Sequence, residues 1–399
     1  MNRRLIWVST INPFETLDVA TWLVTTRELR HSGWDVQLIG FGPDGNHQVN
    51  DTEIICFPWP NTYFLGQSLY HLRVLRFLWN QFNEADFILF HQISALWMLP
   101  LILYRAILRK DGPLLVMDTR DLMDITQGSI KARLRMAFYQ FVYSLAPFAF
   151  DGQTTITPQM AKLIKIPEEQ LWGIWPSGVE PKRYQTASDN RRWPQKDEPI
   201  HLMYLGILLQ KRNPIPLCRA VIRANEEGMN FNLTFVGSGP EEEKIKPFVE
   251  ESKGCISLLE PIAHSEVPSM LARAHVGVTS LPEPGDTKYE ASSPIKIFEY
   301  LAAGLPILAT TNICHTHVVG QGEYAFWVDE VSDDVILQTL HQIWEQKDSL
   351  PSLGDSAIGA AAQWSWQAAS QKLENALLNG LNASQVEAHI APDENLRTL

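Results

Sequence analysis

The sequence predicts a two-domain α/β protein built on parallel sheets, and three observations carry that expectation. At 399 residues the chain exceeds what one ordinary core organises. Short β-branched or aromatic runs alternate with helical stretches along its length. The alternation pauses at one polar, proline-bounded segment near the middle and then restarts.

In the first half the strands read RLIWVST, DVQLIGF, EIICF, DFILFH, PLLVMD, GQTTIT and LWGIWP, with helices in most of the gaps. The opening MNRRLIWVSTINPFE has charge but only a short apolar run, so it reads as a buried strand and not as a signal peptide. Residues 87–104, FILFHQISALWMLPLILY, carry no charge, yet His91, Gln92 and Pro100 interrupt them. A strand followed by a buried helix accounts for that stretch better than a membrane span. Residues 181–199, PKRYQTASDNRRWPQKDEP, lack an apolar period and read as a linker. Strands then resume at HLMYLG, NLTFVG, CISLL, VGVTSL, PILAT and AFWV. The expected organisation is a Rossmann-like domain over residues 1–185 and a second over 186–365. Residues 366–399 add a helix with room to cross back to the first domain, then a polar tail. Two such domains are expected to face each other across a cleft, because ligands of these sheets bind beyond the carboxyl ends of the strands.

The net charge of −12 is unevenly spread. Residues 1–190 carry 17 Lys+Arg against 18 Asp+Glu, and residues 191–399 carry 16 against 27. That balance argues against nucleic acid as a partner. Cys56, Cys218, Cys255 and Cys314 lie far apart without zinc, disulfide or redox spacing, which fits a reducing, cytoplasmic compartment.

The stretch SSPIKIFEYLAAGLPILAT, residues 292–310, has the marks of a site. Ser293 is a good amino cap, Pro294 suits the first helical position and Gly304 the residue past the end, so a helix of about ten residues is expected. Ile295, Phe298 and Ala302 would form its buried face, with Lys296, Glu299 and Tyr300 on another side. Unpaired amides at the start can hold a diphosphate, Lys296 adds positive charge there, and Glu299 can accept two hydrogen bonds from a ribose diol. Taken alone, Lys296 and Glu299 read more readily as an ordinary surface pair.

This stretch resembles the signature of glycosyltransferase family 4, retaining nucleotide-sugar enzymes of the GT-B fold. MYLGILLQKRNPIPLCRA, LTFVGSGPEEEKIK, SLLEPIAHSEVPSMLARAHVGVTSL and WPSGVEPKRY resemble further family segments and come in family order. The likeness is strong over residues 150–380 and weak before them. It implies that Glu299 holds the ribose, that Lys211 or Arg212 after Gly206 meets the donor diphosphate, and that Ile262 lies where backbone meets the base. It also implies a metal-independent reaction with no cofactor beyond the nucleotide-sugar co-substrate.

The departures from the family pattern are specific. The family glutamate eight positions before the ribose glutamate is Ala291 here, and the adjacent Glu290 reads either as a solvated loop carboxylate or, after a small loop shift, as its substitute. Ile207 stands where a basic residue often follows the glycine, and STINPFETLD replaces a Gly-rich loop after the first strand. Arg120 is the nearest match to a histidine near the sugar; being always protonated it would orient or stabilise charge, or simply pair with Asp118 or Asp121. GSGPEE is a poor dinucleotide fingerprint, since Glu242 occupies the third glycine position. His315 and His317 share a side if CHTH is extended, but no third ligand is evident, and no metal is expected. YHLRVLRFLWNQF and SIKARLRMAFYQF interleave basic and aromatic residues, either as ordinary amphipathic helices or as a peripheral membrane contact presenting a lipid-linked acceptor at the inner face of the cell membrane.

The expected activity is transfer of a sugar from a nucleotide diphosphate to a hydroxyl of a carbohydrate or lipid-linked acceptor, with retention, in polysaccharide or glycolipid assembly. Positioning, diphosphate stabilisation and water exclusion would supply the catalysis, with Arg120 and Glu290 the catalytic candidates. Two rivals are a sugar-nucleotide epimerase on the same fold and a catalytically silent sugar-nucleotide binding protein.

Overall fold

A computed structural model describes residues 3–15, 19–60, 63–108, 112–122 and 130–390. The chain divides into two compact units, Met1–Pro176 with Trp366–Leu399, and Ser177–Ser365.

The first unit contains β1 (Arg4–Val8), α1 (Ala20–His31), β2 (Asp35–Phe41), β3 (Gly45–Val49), β4 (Thr52–Phe57), α2 (Tyr63–Asn80) and β5 (Phe87–His91). It continues with α3 (Ala95–Leu108), β6 (Leu114–Thr119), α4 (Ile130–Ala149), β7 (Gly152–Thr155), α5 (Pro158–Leu163) and β8 (Leu171–Ile174). Its sheet runs β3-β4-β2-β1-β5-β6-β7-β8. All pairings are parallel except β3 with β4. Because side chains alternate along a strand, Ile6 and Val8 of β1 face one layer and Leu5 and Trp7 the other. The first layer packs on α2, α3 and α4, the second on α1 and the carboxyl-terminal helix.

The strands read from the sequence all appear, and β3 is an addition. GNHQV is too polar to announce itself, but Asn50 and Asp51 both take positive φ, 45° and 61°, the conformation of a tight hairpin turn. The uncharged stretch from Phe87 forms β5, a short turn and α3 with Pro100 inside it. Among the described residues no helix is long and apolar enough to cross a membrane.

The second unit comprises α6 (Pro181–Asp189), β9 (Ile200–Leu205), α7 (Pro214–Glu226), β10 (Phe231–Val236), α8 (Glu242–Glu251), β11 (Ile256–Leu259), α9 (Val267–Leu271) and β12 (Val276–Val278). It is completed by α10 (Thr287–Glu290), α11 (Ile295–Ala302), β13 (Ile307–Thr310), α12 (Ile313–Val319), β14 (Ala325–Val328), α13 (Asp333–Glu345) and α14 (Leu350–Ala361). Its parallel sheet runs β11-β10-β9-β12-β13-β14. The chain winds outward from β9 through β10 and β11, then returns to β9's other side with β12. This reversal leaves a crevice beyond the carboxyl ends of β9 and β12, the switch point where doubly wound sheets bind ligands.

Residues 181–199 are not a linker throughout. Pro181–Asp189 is helical and belongs to the second unit, with Tyr184 and Ala187 buried. The unit boundary therefore lies at Pro176 and not at residue 185. Two apolar anchors three residues apart are too few for a visible period. Arg191, just beyond, is also buried. Its guanidinium donates to the carbonyls of Ala274, Ala303, Gly304 and Leu271 at 2.7–2.9 Å, closing the carboxyl ends of α9 and α11. The final helix, α15 (Trp366–Ile390), packs in the first unit against β8 and α1. Glycine permits the approach: a Cβ at Gly173 would come within 2.5 Å of the Ala376 Cβ.

Candidate functional site

The switch-point crevice gathers most of the residues singled out in the sequence. α11 begins there, eight residues long, with Pro294 as its capping residue and no side chain bonded to its first amides. Ser293 does not cap it as expected; its hydroxyl accepts the Ser177 amide at 3.2 Å. The carboxyl end follows expectation: Gly304 has φ 69°, its amide reaches the Leu301 carbonyl and the Leu305 amide reaches that of Tyr300, both 2.9 Å.

The helix is not the surface helix that its Lys and Glu suggest. Ile297 through Ala302 are all buried, Tyr300 completely. Tyr300 donates to the Val278 carbonyl at 3.1 Å and accepts the Leu205 amide at 3.0 Å, bolting α11 beneath the ends of β9 and β12. Ile295, expected on the buried face, is half-buried at the open end.

Glu299 is 9% exposed. Its Oε1 accepts from the Tyr184 hydroxyl at 2.8 Å and lies 2.7 Å from His264 Nε2. His264 Nδ1 lies 2.9 Å from Arg183 Nη1. Burial, with the adjacent carboxylate, raises the Tyr184 pKa and keeps the phenol a donor. Both bonds fall on Oε1, and Oε2 makes no hydrogen bond among the described residues.

One turn earlier, Lys296 lies half-buried with Nζ 3.2 Å from Ser280 Oγ and 4.3 Å above the Tyr204 ring. Burial, reinforced by the Arg212 guanidinium, pushes its pKa well below the usual lysine value. Gly206 makes room for this group. It has φ 124°, and a Cβ there would sit 3.2 Å from Lys296 Nζ and 3.7 Å from Arg212 Nη1. Arg212 Nη1 donates to the Ile207 carbonyl at 3.1 Å, and Lys211 pairs with Asp286 at 3.3 Å. The GSG segment packs against this loop: a Cβ at Gly237 would meet the Gly206 carbonyl at 2.1 Å, and the Leu208 amide bonds to the Ser238 carbonyl at 2.9 Å.

Ile262 is half-buried two residues before His264. Glu290 ends the short α10, half-buried, near enough to add to the burial that pushes the Cys314 thiol up to about 12. Ala291 is 1% exposed, so the position of the missing glutamate is turned into the core. CHTH is helical in α12, not extended. His315 is buried with Nδ1 3.0 Å from the Thr310 carbonyl, and the described residues include no cluster of metal-ligating side chains.

Arg120 belongs to the other unit and has its own surroundings. Its guanidinium stacks 3.6 Å over the Trp175 ring, with Nη1 3.3 Å from the Trp175 carbonyl and 3.9 Å from Asp118. Asp118 Oδ1 accepts from Thr154 at 2.7 Å and from Trp175 Nε1 at 3.0 Å. Burial lowers the Arg120 pKa to about 10 and raises that of Asp118, each opposed by the other's charge. Around the ends of β5, β6 and β7, Gln92 Oε1, Thr119 Oγ1, Arg120 Nη2, Gln153 Nε2 and Thr155 Oγ1 are buried without hydrogen-bond partners among the described residues.

Residues 199–346 match the family model of glycosyl transferases group 1. No curated protein matches the chain in sequence. Among solved structures, a sucrose-phosphate synthase from Thermosynechococcus elongatus aligns with TM-score 0.66 at 14% identity, covering 97% of this chain and 100% of that one. The catalytic domain of starch synthase IV from Arabidopsis thaliana, bound to ADP and acarbose, aligns with TM-score 0.68 at 12% identity, covering 96% and 100%. The Anabaena protein HepE in complex with UDP-glucose gives 0.64 at 13%, covering 95% and 99%. The fold is GT-B. In this GT-B chain the family match falls wholly in the second unit and spans β9 through α13, the segment that builds the Lys296–Glu299 crevice.

Sequence reasoning missed Tyr184, His264, Ser280 and Tyr204. Tyr184 and His264 did lie inside segments of family resemblance, WPSGVEPKRY and PIAHSE, but nothing local tied them to Glu299.

Proposed function

We propose that the chain is a glycosyltransferase that moves a sugar from a nucleotide diphosphate to a hydroxyl acceptor, with retention and without a metal, in polysaccharide or glycolipid assembly. The observation that carries this reading is the buried Glu299, held through one oxygen while the other stays available, one helical turn from Lys296 and the uncapped start of α11. The family match over residues 199–346 and the UDP-glucose bound by the similarly folded HepE support it.

In this reading Oε2 of Glu299 takes the ribose diol, and the amides of Ile295 and Lys296, entered through Ser293 and Pro294, take the diphosphate. Lys296, Arg212 and Lys211 oppose the charge that grows on the leaving diphosphate as the sugar bond breaks. Gly206 keeps the approach clear, the Ile262 backbone borders the base, and Glu290 is offered to the donor sugar. The unpaired polar atoms around Arg120 would bind acceptor hydroxyls, with Arg120 orienting them. No protein nucleophile is assigned, and the nucleotide sugar is a co-substrate, not a cofactor. The buried Ala291 favours one second reading, a sugar-nucleotide binding protein without transferase activity.

The test is a thermal-shift screen of uridine, guanosine and adenosine diphosphates and their common sugars, followed by incubation of the best donor with a panel of carbohydrate and lipid-linked acceptors. Nucleotide binding with product of the donor's anomeric configuration, seen by proton NMR in the presence of a chelator, is the expected result. Binding with no transfer across the panel selects the silent reading. Loss of every shift would remove both.

A further inference from the structure

α2, α3 and α4 form one layer on the same face of the first-unit sheet, and each adjoins the next. Their inward faces belong to that core. Their outward faces are also apolar. On α2, Leu65, Leu69, Leu72 and Trp79 recur at spacings that align them along one side, and all are exposed. α3 shows Leu103 and Ile107 one turn apart. α4 shows Ile130, Leu134, Phe141 and Phe148 in line, with Phe148 89% and Ile130 77% exposed. Single exposed apolar side chains are ordinary, whereas a continuous set on three adjoining helices marks an interaction surface.

Charge says what that surface meets. In a protein of net charge −12, the charged residues of α2, α3 and α4 are Arg73, Arg76, Arg105, Lys131, Arg133 and Arg135, with no Asp or Glu among them. Arg105 is turned to Asp151 by a two-pronged pair at 2.8 and 2.9 Å. Arg76, Arg133 and Arg135 occupy exposed positions beside the apolar rows. An isologous dimer through this face would set arginines near arginines with no carboxylate on these helices to answer them. A surface of lipid phosphates answers them directly.

We propose that the outward face of α2, α3 and α4 seats on an anionic phospholipid bilayer. Its leucines and aromatics enter the boundary between headgroups and acyl chains while the arginines contact lipid phosphates. The helices lie on the membrane, since none is long and apolar enough among the described residues to cross it. This surface deepens the reading of a lipid-linked acceptor but is tested apart from it.

The experiment is co-sedimentation of the full chain with vesicles of phosphatidylcholine alone or with phosphatidylglycerol added. Binding to the anionic vesicles, weakened by salt, with little on the neutral ones, is expected. Arg76→Gln with Arg133→Gln should weaken it roughly twenty-five-fold, at about fivefold for each charge near the surface. Leu134→Ser with Phe148→Ser should weaken it by roughly tenfold or more. All four positions are exposed, so both variants should keep the wild-type Tm and nucleotide affinity. Equal binding to neutral vesicles, or anionic binding untouched by both variants, overturns the proposal. So does absence of binding to the anionic vesicles, and self-association or capture of a protein partner that Phe148→Ser abolishes would then give the face that occupant instead. Vesicle binding by a chain that binds no nucleotide would defeat the donor-site reading and leave this one standing.

Discussion

Tyr184 donates a 2.8 Å hydrogen bond to Glu299 across 115 residues of sequence, from a helix with only two buried side chains of its own. With His264 it fixes one oxygen of the carboxylate and so aims the other. If that oxygen holds a ribose, Glu299→Ala should cost two charge-assisted bonds, about 1.5–3 kcal/mol each, and weaken nucleotide binding by roughly a hundredfold or more. Tyr184→Phe removes only the aiming bond, and a loss of roughly fivefold is expected, at about 1 kcal/mol. Titration calorimetry with the best nucleoside diphosphate reads both, and an unchanged affinity for Glu299→Ala would end the ribose assignment.

If the diphosphate rests beside Lys296, nucleotide binding should depend on pH. In the free protein burial and Arg212 depress its pKa, so above that pH the amine is largely neutral. A bound diphosphate favours the ammonium and raises the pKa again. Between the two values binding takes up a proton, and affinity should fall as pH rises, by up to about tenfold per pH unit. Calorimetry in buffers of different ionisation enthalpy measures the uptake. Lys296→Met should abolish it and flatten the profile; a flat profile in the wild type would show that the diphosphate rests elsewhere.

Gly206→Ala tests the crowding around that amine. The backbone at φ 124° strains any side chain, and the new methyl would stand 3.2 Å from Lys296 Nζ. A stability loss of about 1–3 kcal/mol in urea unfolding is expected, along with weakened nucleotide binding. Adding Lys296→Met removes the crowding but not the strain, and should restore only part of the stability.

Arg191→Met tests the second unit's architecture apart from its chemistry. Four carbonyls lose their donor at a buried position, although the methionine fills much of the volume. A loss of about 3 kcal/mol or more is expected in urea unfolding. A loss below about 0.5 kcal/mol, the range of ordinary surface substitutions, would mean that the carbonyls find other donors.

Every strand but β3 was legible because each is a short apolar run, a local pattern that needs no partner to be seen. Gly304 was legible for the same reason, as a chain-local stop. Ser293 was misread as a cap because its choice between the α11 amides and the Ser177 amide depends on a neighbour 116 residues away. The Lys296–Glu299 pair looked like a surface pair because the packing on both sides of α11 is supplied by distant segments. β3 escaped notice because its residues are polar and its evidence lies in the turn at Asn50 and Asp51.

By itself the sequence determined the α/β alternation, its restart, and the order of the strands along the chain, since these follow from periodicity within a few residues. The tertiary structure alone decided which strand ends meet at the switch point, that Tyr184 and His264 converge on Glu299, and that α15 packs with the first unit. Burial and hydrogen bonding between segments far apart in the chain belong to the whole fold, and no window of sequence contains both partners.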